Sequence, residues 1–268
     1  MWTDEDRQRY DYSDRRYASD LNDEEWSKLE PMLSECLVWT VSLREMVNAS
    51  LYVDWTGCQW RALPKDFGPW TTAYDWRRRF KKSGLWRRIS DAIRGDARVA
   101  LGRMAKASTA LADSQSVKGT PQKGPRGTDG GKRVRGIKRH VLACSAGLLL
   151  SVLCTTAEVH DAKAAVPLIS GAPPSSIVRV VADSAYVGPN VAEAAAARGW
   201  DIQITAKEEG VKGFKPLPVR WRVEATFGVL TNFHRRLVRN WEQSLAGAED
   251  AMWCANARRT LRAATRIA

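Results

Sequence analysis

Two aspartates occupy the same kind of place in the chain. The apolar run Ser108–Ala112 leads into Ala112-Asp113-Ser114, and the run Ile177–Ala182 leads into Ala182-Asp183-Ser184. An Asp just past a strand is ordinarily a turn or cap residue. If the two strands are neighbours in an open α/β sheet, both acids project from carboxyl ends of strands, where functional sites gather. A third acid, Glu224, is the only acidic residue between Glu209 and Glu242, within Arg220-Trp221-Arg222-Val223-Glu224-Ala225-Thr226-Phe227. Helical spacing puts Arg220, Glu224, Gly228, Thr231 and Arg235 along one face. A glutamate among arginines is usually an exposed ion-pair partner, but Val223, Phe227 and Leu230 suggest a helix packed against a sheet. Magnesium takes oxygen ligands, keeps some of its waters and accepts substrate phosphates. Two such ions about 4 Å apart can clamp an in-line displacement at phosphorus. Spacing alone does not establish that the three acids converge.

The charge balance points to a polyanionic partner. Net charge is +12 and the pI is about 9.7, which suits nucleic acid or an acidic membrane surface. The excess is concentrated. Between residues 101 and 140 stand Arg103, Lys106, Lys118, Lys123, Arg126, Lys132, Arg133, Arg135, Lys138 and Arg139 against only Asp113 and Asp129, and a second basic stretch covers 216–268. The longest apolar stretch, near Leu148–Cys154, is too short to span a bilayer, so nucleic acid outranks a membrane. Five scattered cysteines (Cys36, Cys58, Cys144, Cys154, Cys254) without a C-x-x-C pair suggest reduced thiols in a cytoplasmic protein.

Residues 1–20 are polar and lack apolar periodicity, and are expected to form a mobile tail. Asn22 with Glu25 makes a capping-box pattern for a helix carrying Trp26, Leu29, Met32 and Leu33, which Pro31 should kink. Leu43, Met46, Val47 and Leu51 mark a second helix. Thr72 with Asp75 opens a third, with Ala73, Trp76 and Phe80 inward and Tyr74, Arg77, Arg78, Lys81 and Lys82 outward. Gly84 closes it, and Leu85, Ile89 and Ile93 begin a fourth. One basic helix among short helices fits a helix-turn-helix-like module, with a small helical bundle whose charged face is wet as the alternative.

Beyond residue 100 the pattern changes to strands at Ser108–Ala112, Val141–Leu142, Leu148–Thr155, Ile177–Ala182 and Asp201–Ala206. Helices are expected at Asp161–Ile169 and Pro189–Arg198, and a long one from Trp221 past Arg236. This is an α/β layer structure with a mixed five-stranded sheet. The expected organisation is a tail at 1–20, a helical domain at 21–98 and an α/β domain at 99–268.

In order and spacing, "LNDEEWSKLEPML", "GCQWRALPKDFGPWTTAYDWRRRFKKSGLW", "ADSQSVK", "KGPRGTDGGKRVRGIKRHVL", "VVADSAYVG" and "RWRVEATFGVL" resemble the DDE transposases of bacterial insertion sequences, specifically the insertion-sequence-five family, from about Leu21 to Arg262. The resemblance implies a ribonuclease-H-like catalytic fold in which Asp113, Asp183 and Glu224 hold two Mg²⁺ or Mn²⁺ ions. It implies that the front helices help recognise the element's terminal inverted repeats, and that the enzyme cleaves and transfers strands of double-stranded element and target DNA. By the same analogy a homodimer or larger assembly forms on DNA, in a cytoplasmic, nucleoid-associated protein. The stretch Gly124–His140 reads as a flexible basic loop for phosphates, or else as a solvated hairpin.

Candidate DNA contacts are Arg77, Arg78 and Lys81 on the third helix, Lys132, Arg133, Lys138, Arg139 and His140 in that stretch, and Arg220 and Arg235 around the glutamate. The family's Tyr and Lys positions near the last acid are Leu217 and Thr231 here. Arg235, one helical turn beyond Thr231, is the expected replacement for that lysine. A catalytically decayed or regulatory DNA-binding protein and a structure-specific nuclease are the other readings. The complete acid triad favours an enzyme.

Overall fold

The computed structural model describes residues 3, 4, 7, 11–33, 41–174, 176–205 and 221–265. Helix α1 (Asp23–Leu29) opens with the expected capping box. The Glu25 backbone donates to Asn22 Oδ1 at 2.7 Å, and the Asn22 backbone donates to Glu25 Oε2 at 3.0 Å. A 3-10 turn, Glu30–Leu33, then carries Pro31, so the helix tightens there rather than kinking within an α-helical run. Helix α2 (Leu43–Thr56) ends at Gly57, whose positive φ of 70° supplies the left-handed cap. Helix α3 (Trp70–Lys82) starts two residues before Thr72, after Pro69 and without a side-chain cap. Helix α4 (Leu85–Ala100) follows Gly84.

The sheet is mixed. Its strands are β1 (Thr109–Lys118), β2 (Gly127–Asp129), β3 (Val134–Cys144), β4 (Leu149–Thr156), β5 (Arg179–Ala182) and β6 (Asp201–Ile204). Their order is β2-β3-β1-β5-β6, with β4 paired to the rest of β3. β3 is antiparallel to β1, β2 and β4, and β5 is parallel to both β1 and β6. Helices α5 (Asp161–Ser170) and α6 (Pro189–Ala196) lie between strands. Helices α7 (Trp221–Phe233) and α8 (Leu245–Ala264) follow the sheet. This is the ribonuclease-H-like architecture expected, preceded by helices.

Alternation along the strands assigns the two faces. Ala110, Ala112, Leu142, Val180 and Ala182 pack with α5 and α6. Leu111, Val141, Ala143 and Val181 join a second core with Val223, Phe227 and Leu230 of α7, Ala251, Met252 and Cys254 of α8, and Val47, Leu51, Phe80, Trp86 and Ile89 of the front helices. One apolar core therefore runs across the expected boundary at 98/99.

Three expectations change. The sheet gains a sixth strand, β2, whose three residues Gly-Thr-Asp carry no apolar alternation to reveal it. Strand β1 runs to Lys118, so Asp113 sits inside a strand with Val141 as its Cα partner. The end of the 1–20 segment contacts distant elements. Ser19 and Asp20 are buried, the Tyr17 ring stacks on Phe67 at 5.4 Å, and Arg258 and Arg262 of α8 donate to the Asp20 and Ala18 carbonyls. Partners distant in sequence hold this segment, so local periodicity carries no trace of them.

Candidate active site

The parallel ladder of β1 and β5 pairs Thr109 with Arg179, Ala110 with Val180 and Leu111 with Val181. Asp113 and Asp183 each lie two residues beyond the last pair of that ladder, Asp113 within β1 and Asp183 just past the end of β5. Asp113 takes the parity of Leu111, whose face of the sheet α7 covers. Asp113 Oδ1 accepts from the Ser114 backbone N–H at 2.8 Å. Asp183 caps a single 3-10 turn and accepts from the Ala185 N–H at 3.0 Å. These backbone donors restrain both carboxylates.

Glu224 comes from α7, which buries Val223, Thr226, Phe227 and Leu230 and packs on β1. Its own side chain is exposed. Among the described residues, no three His, Cys, Asp or Glu side chains already surround one point as metal ligands. The three acids come from β1, the turn after β5 and α7. Carboxylate oxygens are the ligand type a hard divalent cation takes, beside waters and a substrate phosphate.

The candidate DNA contacts divide sharply. Arg78 is exposed, beside Asp75 at 3.5 Å. Lys132 and Arg133 are exposed at the tip of the β2–β3 hairpin, where Asp129 Oδ1 accepts from the Lys132 N–H and Arg133 adopts a φ of 52°. Arg220 and Leu217 lie outside the described residues. Lys81 is half-buried, with its ammonium 3.4 Å from Ser244 Oγ.

The remaining five sit in other surroundings than the sequence pattern suggested. Arg77 points inward to Asp250 of α8 at 2.9 Å, with both side chains 11% exposed. Burial opposes its charge, but Asp250, Cys254 and Asp54 outweigh burial and raise its pKa above the ordinary value. Successive helical positions differ by about 100°, enough to send Arg77 to the core edge and Arg78 to solvent. Lys138, Arg139 and His140 are buried on β3, so Gly124–His140 is half hairpin and half central strand rather than a flexible loop. Arg139 donates to the Leu237 carbonyl at 2.7 Å, and its burial holds its pKa below normal. His140 lies 3.0 Å from Thr155 Oγ1.

Arg235 does not continue the face of Glu224. The α-helix stops at Phe233, the backbone turns out at His234 (φ −132°, ψ 91°), and Arg235 begins a separate 3-10 turn. There its backbone lies against Gly57, where an added Cβ would stand 3.3 Å from it. His234 Nδ1 lies 2.6 Å from Asp54 Oδ2, which fixes the departure. Arg235 remains exposed, in another place from that expected.

Sequence reasoning passed over Asp129 and Asp161 as chemistry-bearing residues. The alternation Ser114, Ser116 directly after Asp113 was the available signal, because it places two hydroxyls on the face away from the aspartate pair.

Residues 105–255 match the family model described as "Transposase DDE domain", and residues 21–90 match one described as "Putative transposase of IS4/5 family". No curated protein and no solved structure matches the chain. With more than half of its length under one family model, the chain belongs to the DDE transposase family.

Proposed function

We propose that the protein binds the terminal inverted repeats of its own mobile element and catalyses metal-dependent cleavage and strand transfer of double-stranded DNA, with Asp113, Asp183 and Glu224 as the catalytic acids. The observation that supports this reading is that Asp113 and Asp183 each follow the last paired residues of β1 and β5, Leu111 and Val181, by two positions. The same three carboxylates would hold two Mg²⁺ or Mn²⁺ ions. Bound there, such ions supply charge stabilisation at the attacking and leaving oxygens of the phosphodiester. The protein's own share is positioning and electrostatics. Backbone N–H groups restrain two of the acids, and α7 would present the third.

Phosphate contacts fall to the exposed cations Arg78, Lys132, Arg133 and Arg235 and to Arg220, which position the duplex without reading its sequence. Assembly on two DNA ends as a dimer or larger oligomer in the bacterial cytoplasm, at the nucleoid, completes the proposal. Among the described residues no helix is long and apolar enough to cross a membrane. The test is nicking of a duplex that carries the element's end, in Mg²⁺ or Mn²⁺, followed by joining of the freed 3′ end to a target duplex. Binding without nicking in either metal would favour a regulatory DNA-binding protein.

A further inference from the structure

Five polar side chains form a closed set on the sheet face opposite Asp113. Ser114 and Ser116 share that face of β1, and their Cα partners on β3 are His140 and Lys138. Ser114 Oγ donates to Asp161 Oδ2 at 3.0 Å, and Ser116 Oγ donates to Asp129 Oδ2. Both acids converge on Lys138. Its ammonium lies 3.2 Å from Asp161 Oδ1 and 3.9 Å from Asp129 Oδ2, and it donates to the Val159 carbonyl at 2.8 Å. One lysine thus ties β1, the end of β2 and the first residue of α5 to β3.

Two features set this lysine apart from a phosphate contact. An ammonium has three donors, and here three oxygens surround it. Two carboxylates more than offset its charge, so a phosphate would meet no net positive field from this group. The set also acts where β1 needs support. The parallel ladder with β5 ends at Leu111, and beyond it the long ladder of β1 is with β3 until Lys118 accepts from the Asn240 N–H.

We propose that Lys138 is a positioning residue for strand cleavage. Through Asp161 and Asp129 it grips the serines at 114 and 116, and so holds the backbone that presents Asp113 to Asp183. The inference rests on the assignment of Asp113 to the catalytic acids.

The test uses the full chain with Lys138→Met, Lys138→Arg and Asp161→Asn. Cleavage at saturating duplex, duplex affinity across salt, and amide hydrogen exchange of the β1 segment are measured. Displacing a reacting group by an ångström costs up to about a hundredfold. Lys138→Met should therefore slow cleavage at saturating DNA by about tenfold or more. Its KM for DNA and its salt slope should match the unsubstituted protein, while β1 exchanges faster. Lys138→Arg should restore most of the rate. If Lys138→Met does not fold, Asp161→Asn, which keeps the shape and removes one charge, should show the same split. Unchanged cleavage with unchanged exchange would overturn the proposal, as would a salt slope lower by about one unit, the mark of a lost phosphate contact. If the unsubstituted protein does not cleave, the catalytic assignment falls, and exchange alone then decides whether the lysine holds β1.

Discussion

Asp54 on α2 and His234 just past α7 face each other at 2.6 Å, with side chains 1% and 7% exposed. The pair joins the front helices to the end of the helix that carries Glu224, and beside it Gly57 gives the backbone of Arg235 room to approach. Removing one partner of a buried pair leaves the other without compensation, which costs about 3–5 kcal/mol. His234→Ala should lower the thermal midpoint by roughly 2–4 °C for each kcal/mol lost. The double variant Asp54→Leu/His234→Leu should recover much of the loss. Circular dichroism melts measure both, and a single variant that melts with the unsubstituted protein would refute the link.

Arg77 and Arg78 should part company. Arg77→Ala removes the partner of the largely buried Asp250 and should cost up to about 3–5 kcal/mol in denaturant unfolding, with little change in the salt slope of DNA binding. Arg78→Ala, at an exposed site, should stay within about 0.5 kcal/mol and flatten that slope by at most about one unit. A slope change in the Arg77 variant with stability intact would restore its role as a DNA contact.

The hairpin tip offers a substitution that should move stability and binding in opposite directions. Arg133 holds a φ of 52°, a region costly for a side chain and free for glycine. Arg133→Gly should stabilise the protein by up to about 1 kcal/mol while lowering the salt slope by about one unit. Loss of stability, or an unchanged slope, counts against this geometry or this contact respectively.

Burial pushes the His140 pKa from its ordinary 6.5 down to about 4, with Asp161 opposing the shift and Lys138 and Lys132 adding to it. Below pH 6.5 the unfolded chain binds a proton that the folded protein refuses, so stability falls as pH drops toward about 4 and is fully present above 6.5. At pH 5 this term costs about 2 kcal/mol. His140→Gln should flatten the change in urea-unfolding stability between pH 7 and pH 5 by about that amount. An identical pH dependence in the variant would show that the imidazole does not titrate as its burial demands.

Much of this architecture is legible in local patterns. The Asn22–Glu25 capping box, the inward triplet Ala73, Trp76 and Phe80, and the acid after each of two apolar runs all follow from near neighbours in sequence. The proposed partnership of Asp113 with Asp183 is different. The pairing of β1 with β5 joins residues about 70 apart in sequence, depends on register, which no period reveals, and only the family resemblance suggested that the two acids work together. Lys138, Arg139 and His140 looked like a basic surface because a strand covered on both faces can bury charge when distant oxygens wait for it. Asp161, Asp129 and the Leu237 carbonyl are those oxygens. Arg235 was displaced for a similar reason, since the contact that ends α7 comes from Asp54, 180 residues earlier in the chain.

The central claim is that Asp113, Asp183 and Glu224 act together on phosphodiester bonds. The most direct measurement is nicking of an end-containing duplex in Mg²⁺ or Mn²⁺ by Asp113→Ala, Asp183→Ala and Glu224→Ala, with duplex affinity measured in parallel. Groups that act as a unit lose about as much singly as together. Each variant should therefore abolish nicking while binding the duplex about as well as the unsubstituted protein. Substantial nicking surviving in any one of the three would remove that residue from the catalytic set and contradict the account.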